Sequence, residues 1–360
     1  MVIKKLSFEN YRNLIDGDFE PCGEINLIYG DNAQGKTNLI EALCLFSGQK
    51  SFRGGKDVQL IKIGTEFSRL SLDFFSQERE QNAVIAISLK KEGTLNGVKL
   101  QSVTELNECF PVIVFAPSHL GLVKDGPKTR RQFLDTAISQ LRPKYVQVLY
   151  EYNRAVTQRN AILRDVVYHS ELLDMLDAFE DRIAKTGAYI ISQRKKYLEA
   201  VNLKAPEIYA GLSQGRESFV SEYICTSGNG DVDELKTALI SSRSEDTATG
   251  TTSTGPHRDD IDLRLDGLPV RVYGSQGQMR SVALALKLAE TDVLERFTGE
   301  KPIAILDDVM SELDPSRQNF ILNHIQNMQV FITCCDPGAL HNFKAGKVFR
   351  VENGELRTKK

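Results

Sequence analysis

The chain has 360 residues, 41% hydrophobic and 26% charged, which is enough for two domains each with its own core. Six cysteines (Cys22, Cys44, Cys109, Cys225, Cys334, Cys335), with no C-x-x-C pair or histidine cluster, argue against a zinc site and a disulfide framework, and a net charge of −3 does not by itself point to a polyanionic partner. No run approaches the roughly 18 apolar residues of a membrane span, and the N-terminus alternates like a strand with no small-residue cleavage site after it, so a cytoplasmic protein is expected.

In chain order, the first 118 residues read as short strands broken by turns. These are Val2–Phe8, Ile25–Tyr29, Leu70–Phe75, Ala83–Leu89 and Val112–Phe115, with one helix after Gly35. From Lys128 the period changes: Leu134, Ile138, Leu141, Tyr145, Leu149, Tyr152, Val156, Arg159 and Leu163 fall three or four apart, interrupted by Pro143. A second stripe runs Leu172, Leu176, Phe179, Ile183, Gly187, Ile190, Arg194, Leu198, Val201, so two long helices folding back on each other are expected. The polar run Arg243–Thr254 reads as a flexible connector or mobile loop. Ile261–Leu265 and Leu268–Tyr273 around Asp266-Gly267 predict a hairpin, because that dipeptide favours a tight primed turn. A helix over Gln276–Phe297 and buried strands at Ile303–Asp307 and Val330–Thr333 complete the reading.

Three segments carry chemistry. Gly30-Asp31-Asn32-Ala33-Gln34-Gly35-Lys36-Thr37 fits G-x-x-x-x-G-K-[ST] between a strand and an apolar helix, the context that motif requires. Its glycines let backbone N–H groups turn onto phosphates, Lys36 reaches the β and γ phosphates, and the Thr37 hydroxyl takes a position on Mg²⁺. Next, Ile303–Leu306 leads into Asp307-Asp308. Alone this is an even choice between a plain strand end and a metal site; beside a P-loop, Asp307 is expected to hold Mg²⁺ and Asp308 to orient the attacking water. Finally, Ser275-Gln276-Gly277-Gln278 opens a helix and, in isolation, is an ordinary N-cap.

That third segment resembles the signature motif of ABC-type ATPases, and Ser311-Glu312-Leu313-Asp314 resembles their D-loop. The resemblance implies that the P-loop of one protomer meets the signature motif of another across ATP, giving an ATP-dependent homodimer. Lys36 and Ser275 lie 275 − 36 = 239 positions apart, so an insertion splits the head, as in chromosome-structure and DNA-repair ATPases. Lys144–Arg164 would span only about 30 Å, too short for the arm of a chromosome-condensing protein.

Within this branch the whole chain resembles the RecF family. The resemblance rests on Asn10-Tyr11-Arg12-Asn13, the P-loop, Val123–Pro127 followed by Arg130–Asp135, Gly255-Pro256-His257-Arg258-Asp259-Asp260, Tyr273–Gln278 and Leu306–Asp308, in that order. It implies an α/β ABC-type ATPase head split into lobes at 1–118 and 251–360, with a mainly helical insertion at 119–250. It also implies that Arg12 and Asn13 touch the nucleotide, and that ATP and Mg²⁺ are the cofactors. The implied activity is weak, DNA-stimulated ATP hydrolysis that serves as a switch. The implied role is DNA binding at gaps or duplex/single-strand junctions, with RecO and RecR helping to load RecA in repair, replication and the SOS response. An ATP-gated protein interaction switch without direct DNA function is the alternative for such a head.

Three departures stand out. Ala116-Pro117-Ser118-His119-Leu120 lacks the acidic residue expected after the proline. Cys334-Cys335 replaces hydroxyl residues, which leaves the switch histidine of ABC heads without a counterpart, although Thr333 is adjacent. Asp308 stands where ABC heads usually have Glu, one methylene longer, so slow hydrolysis is expected.

Between Leu120 and Lys204 there are 15 Lys and Arg against 10 Asp and Glu, a balance of +5 that leaves −8 for the rest. Lys124, Lys128, Arg130, Arg131, Arg142, Lys144, Arg154, Arg159, Arg164, Arg182, Lys185, Arg194, Lys195 and Lys196 are the candidates for DNA phosphates. A mixed charged face on long helices is more often solvated surface, and the family resemblance favours the DNA reading. With no base-reading element in view, recognition by backbone and shape is expected. His257 and Arg258 are read equally as groups near the nucleotide or as a loop tied down by its own hydrogen bonds.

Overall fold

Alternation of apolar and polar residues builds the first sheet. β1 (Val2–Glu9) pairs with β2 (Gly17–Phe19) and β4 (Ser68–Ser76), and β5 (Arg79–Ile87), β6 (Lys91–Leu95) and β7 (Val98–Lys99) extend it, all antiparallel. Between its first strands lie β3 (Ile25–Tyr29) and helix α1 (Lys36–Leu45), and β8 (Val112–Phe115) follows. The structure, a computed structural model, describes residues 1–166, 168–336, 338 and 346–359.

Residues 120–298 contain α2 (Gly121–Lys124), α3 (Pro127–Leu141), α4 (Pro143–Asp165), α5 (Leu173–Asn202), α6 (Ala205–Ser213), β9 (Phe219–Ile224), α7 (Val232–Ser241), α8 (Arg243–Thr249), β10 (Asp260–Leu265), β11 (Leu268–Pro269), α9 (Val270–Tyr273) and α10 (Gln276–Thr298). The chain closes with β12 (Ile303–Asp307), α11 (Pro315–His324), β13 (Val330–Cys334), β14 (Lys347–Glu352) and β15 (Glu355–Lys359).

Two units result. One is Met1–His119 with Leu284–Lys360; the other is Leu120–Ala283. The first holds the antiparallel sheet and a second six-stranded sheet in the order β15-β14-β3-β13-β12-β8, parallel except for β14 with β15. The run Ile303–Asp307 is buried throughout, as a strand covered on both faces must be. Phe19 packs edge-on against Phe349 at 4.7 Å, one of the contacts that join the two sheets in a single core. β3, β12 and β13 end side by side, so residues that follow them converge at the carboxyl edge, where open α/β sheets bind ligands.

In the second unit α4 and α5 form the expected helix pair, but the first stripe is not one helix kinked at Pro143: Arg142, at φ −144° and ψ 93°, ends α3, and Pro143 opens α4 as a separate helix. A three-stranded antiparallel sheet β11-β10-β9 lies beside the pair in sequence. The expected last lobe began at residue 251, but residues 251–283 fold with the second unit, because β10 pairs along its whole length with β9. Asp266 and Gly267 take φ of 47° and 81°, the primed turn expected there. The predicted second arm is shorter than expected: it pairs only over Leu268–Pro269 and then turns into α9.

The polar run Arg243–Thr254 is no mobile connector. Arg243–Thr249 is helical, and Asp246 and Thr252 are buried. Arg159, fully buried, donates from Nη1 to Asp246 Oδ2 at 2.6 Å and to Thr252 Oγ1 at 3.0 Å, and from Nη2 to Glu180 Oε1 at 3.0 Å. A buried charge needs such partners, and the polar residues of this segment supply them.

Candidate nucleotide site

The P-loop follows β3 directly. Gly30 has φ 156°, and a Cβ there would sit 2.2 Å from the Val351 carbonyl oxygen, so only glycine fits beneath β14. Ala33 at φ 64° and Gly35 at φ 117° turn the chain into α1, which has no acidic residue in its first turn to compete for an anion. Lys36 is buried, and its ammonium donates to the carbonyls of Gly30 at 2.7 Å and Asp31 at 3.0 Å and to Cys335 Sγ at 3.6 Å. The cation is thus held inside the loop, against its own backbone.

Thr37 Oγ1 donates to Asp307 Oδ1 at 3.1 Å, which unites the expected metal ligands from α1 and β12. Thr333, at the end of β13, donates to the same oxygen at 2.8 Å and accepts the Asp308 N–H at 3.0 Å, so one hydroxyl orders both acids. Burial raises the Asp307 pKa, and Asp308 adds to the rise, whereas the Thr333 and Thr37 hydrogen bonds and the charge of Arg53 oppose it. Asp308 has φ 52°, a conformation that costs energy for a residue other than Gly, Asn or Asp.

Among the described residues no group of three or more His, Cys, Asp or Glu could hold a metal. At the end of the P-loop the Thr37 hydroxyl and the Asp307 carboxylate meet, a pair that fits Mg²⁺, which keeps waters and takes its other ligands from phosphates.

Arg12 and Asn13 lie on the loop after β1. The Arg12 guanidinium donates from Nε to Glu41 Oε2 at 3.0 Å, from Nη2 to Glu41 Oε1 at 2.8 Å and from Nη1 to the Gln59 carbonyl at 2.9 Å, so this structure turns it onto α1. Asn13 touches the P-loop: its Nδ2 donates to the Ala33 carbonyl at 3.2 Å, and its Oδ1 accepts from Asn38 at 2.6 Å. Asn38 in turn accepts from Arg53 Nη1 at 2.7 Å. The sequence reading missed Arg53; its signal is the run Ser51-Phe52-Arg53-Gly54-Gly55 a few residues after α1.

At the departures from the family pattern, His119 Nδ1 accepts the Ala116 N–H at 3.1 Å, and burial pushes its pKa down to about 3, so it is neutral. Burial pushes the Cys334 thiol up to about 12, while Cys335 is exposed and donates to Asn32 Oδ1 at 3.1 Å.

Ser275 and Gln278 open α10 with a reciprocal capping box: the Ser275 N–H donates to Gln278 Oε1 at 2.6 Å, and the Gln278 N–H to Ser275 Oγ at 3.2 Å. The N-cap reading is therefore realised. Ser275 and Gln276 are exposed, and Gly277 is half-buried.

His257 belongs to the second unit. One ring nitrogen meets Tyr152 Oη at 2.6 Å and the other the Thr252 carbonyl at 3.0 Å, while Arg258 donates to the same carbonyl at 2.9 and 3.0 Å. The loop is tied down by its own hydrogen bonds, as one of the two expectations had it. Arg130, Arg159 and Arg194 are also buried, so they are unavailable to DNA. Arg159 and Arg194 sit on the apolar stripes, whose period had already turned them inward. Lys124, Lys128, Arg142, Lys144, Arg154, Arg164, Arg182, Lys185 and Lys196 are exposed. No helix among the described residues is long and apolar enough to cross a membrane.

Residues 2–358 match the family described as RecF/RecN/SMC N terminal domain. The chain is 35% identical over 364 residues to the DNA replication and repair protein RecF of Agathobacter rectalis, with 99% of each chain covered. It is 36% identical over 367 residues to that of Clostridium perfringens, covering 99% of this chain and 100% of the relative. A solved structure described as the recombination mediator protein RecF with ATP in the RecFOR pathway superposes with TM-score 0.92 at 34% identity, covering 100% of this chain and 98% of the other. An Smc head domain from Pyrococcus furiosus shares the fold at TM-score 0.56 and 15% identity, over 99% of this chain and 96% of the other.

Proposed function

We propose a function from one premise: the chain belongs to the RecF family of DNA replication and repair proteins. It is an ATP-dependent recombination mediator that closes as a homodimer on ATP, binds DNA by backbone and shape, and acts with RecO and RecR to load RecA. The observation that carries the ATP part is the meeting of Thr37 and Asp307 at 3.1 Å, below a P-loop whose lysine is enclosed by the loop's carbonyls. The solved relative described with ATP supports the same nucleotide.

In this reading the ammonium of Lys36 leaves the Gly30 and Asp31 carbonyls for the β and γ phosphates, while the N–H groups of residues 31–37 receive the remaining phosphate charge. Asp31, Asn32, Ala33 and Gln34 contribute backbone, and Asn13 steadies the loop at Ala33. Thr37 and Asp307 would hold Mg²⁺, which when bound neutralises charge on the phosphates. Asp308, ordered by Thr333, orients the attacking water. The exposed Ser275, with Gln276, Gly277 and Gln278, meets the γ phosphate of a second protomer and completes its site. Basic residues such as Lys144, Arg154 and Arg182 bind DNA phosphates, so affinity falls with salt.

Ser275→Arg tests the sandwich. ATP binding by the monomer should stay within about twofold of wild type, while ATP-dependent dimers disappear in light scattering, because the bulky cation occupies the seam. Normal dimers in that variant would reject the arrangement. Salt-dependent DNA binding that strengthens with ATP separates the mediator from a protein switch that ignores DNA.

Asp308→Asn separates binding from hydrolysis. Asparagine tolerates the left-handed backbone at this position, so nucleotide and metal binding should persist. Single-turnover hydrolysis should slow by at least about 100-fold, the contribution of a positioned base, and dimers should outlive those of wild type. A normal rate would assign the water to another group.

A further inference from the structure

The last two strands run close along the back of the P-loop. β14 lies parallel to β3, and the two-residue turn Asn353-Gly354, at φ 50° and 79°, reverses the chain into β15. That turn is bonded to two segments of the nucleotide site at once. The Gly354 N–H donates to the Gln34 carbonyl at 3.0 Å, and the Asn353 N–H donates to the Gln34 side-chain oxygen. On its other side, the Ile15 N–H donates to the Gly354 carbonyl at 2.9 Å. The packing leaves no room for a side chain: a Cβ on Gly354 would lie 2.0 Å from the Asn13 carbonyl oxygen and 3.3 Å from Leu14 Cα.

We propose that the Asn353-Gly354 turn is a positioning element for the nucleotide loop, which it ties through Gln34 to the segment carrying Asn13. The inference rests on the reading of residues 30–37 as the ATP site. Gln34 immediately precedes Gly35, where the chain turns into α1, so a displacement of the turn moves the residues whose N–H groups must point at the phosphates. Asn13 reaches Ala33, the residue before Gln34. The loop is thus held at two consecutive residues, and the C-terminal hairpin contributes one of the attachments. Hydrogen bonds weaken steeply as distance and angle leave the optimum, so a displaced loop binds the phosphates more weakly.

The chain contains its own control. Asn96-Gly97 is the same dipeptide in the same kind of turn, at φ 52° and 80°, between β6 and β7 of the same unit, and a Cβ on Gly97 meets nothing within 4 Å. Gly354→Ala and Gly97→Ala therefore introduce the same backbone strain, but only the first pushes against the nucleotide site.

The experiment measures equilibrium binding of a fluorescent ATP analogue with Mg²⁺ to the full chain, beside unfolding midpoints taken without nucleotide. Gly354→Ala should bind at least tenfold more weakly than wild type, and Gly97→Ala within twofold of it. Equal affinity in the two variants overturns the proposal. Should Gly354→Ala fail to fold, Asn353→Gly, which fits φ 50° without strain and only loosens the turn, should weaken binding about threefold, with Asn96→Gly unchanged; equal affinities there also overturn it. Lys36→Met, measured in parallel, keeps the two ideas apart. Binding lost in Lys36→Met but untouched in Gly354→Ala rejects the positioning role alone, whereas analogue binding that Lys36→Met leaves unchanged rejects the ATP site itself.

Discussion

Lys36→Met should lower ATP affinity by more than about 100-fold and abolish ATP-driven dimers, while leaving the fold intact. The ammonium makes charge-assisted hydrogen bonds, each contributing about 1.5–3 kcal/mol with a charged partner, and two phosphates lose it together. Methionine, one heavy atom shorter, keeps most of the apolar stem, and the buried site of Lys36 no longer holds a charge. The carbonyls of Gly30 and Asp31 lose a donor, as they do whenever lysine turns to the nucleotide in the reading above. Isothermal titration with ATP and Mg²⁺ checks the affinity, and circular dichroism checks the fold. Unchanged affinity would remove residues 30–37 from the nucleotide site.

Arg159→Ala should destabilise the second unit by about 3–5 kcal/mol, the usual loss when one partner of a buried ion pair is removed. Its guanidinium is fully buried between Glu180 and Asp246, both also inaccessible, and it further donates to Thr252 and the Leu239 carbonyl. Glu180 keeps Arg243, and Asp246 keeps the Ser242 hydroxyl and the Ser253 N–H, so the loss should stop short of complete unfolding. Arg159→Lys keeps the charge but not the fork that spans both acids, and should fall in between. The measured quantity is the unfolding midpoint, expected to drop by on the order of 10 °C for Ala. The segment 243–254 should also become protease-sensitive, since its anchor is gone. A midpoint within 1 or 2 °C of wild type would mean that the buried network contributes little to stability.

Both substitutions act on residues whose importance differs in how far it can be read along the chain. Lys36 is legible because a P-loop is a local device: glycines, lysine and hydroxyl act within eight consecutive residues, and the flanking strand and helix are themselves local patterns. The same holds for the helix pair α4 and α5, whose stripes run at an unbroken period, and for the Asp266-Gly267 turn. Asp307 and Asp308 were legible as an acidic end to an apolar strand, and Ser275–Gln278 as a helix start in a telling order.

Arg159 is different. Its place on an apolar stripe says that it faces inward, but the acids that make this tolerable lie 21 and 87 positions away, and only the fold brings them together. For the same reason Arg243–Thr254 looked like a loose connector: polar composition is the same whether the partners are water or a buried guanidinium. Thr333 joining both acids, Arg53 reaching Asn38, Arg12 turning onto Glu41, and the Asn353-Gly354 turn against Gln34 and Asn13 also depend on strands distant in sequence becoming neighbours. Local chemistry and periodicity thus determined most of the elements and the P-loop, while the family came from the resemblance of the motifs in their order. Which polar groups face each other across the parallel sheet, and which basic residues remain free to meet a phosphate, was decided by tertiary structure. Burial and pairing are properties of the assembled fold, and for Arg159, Thr333 and Gln34 no short window of sequence contains both partners.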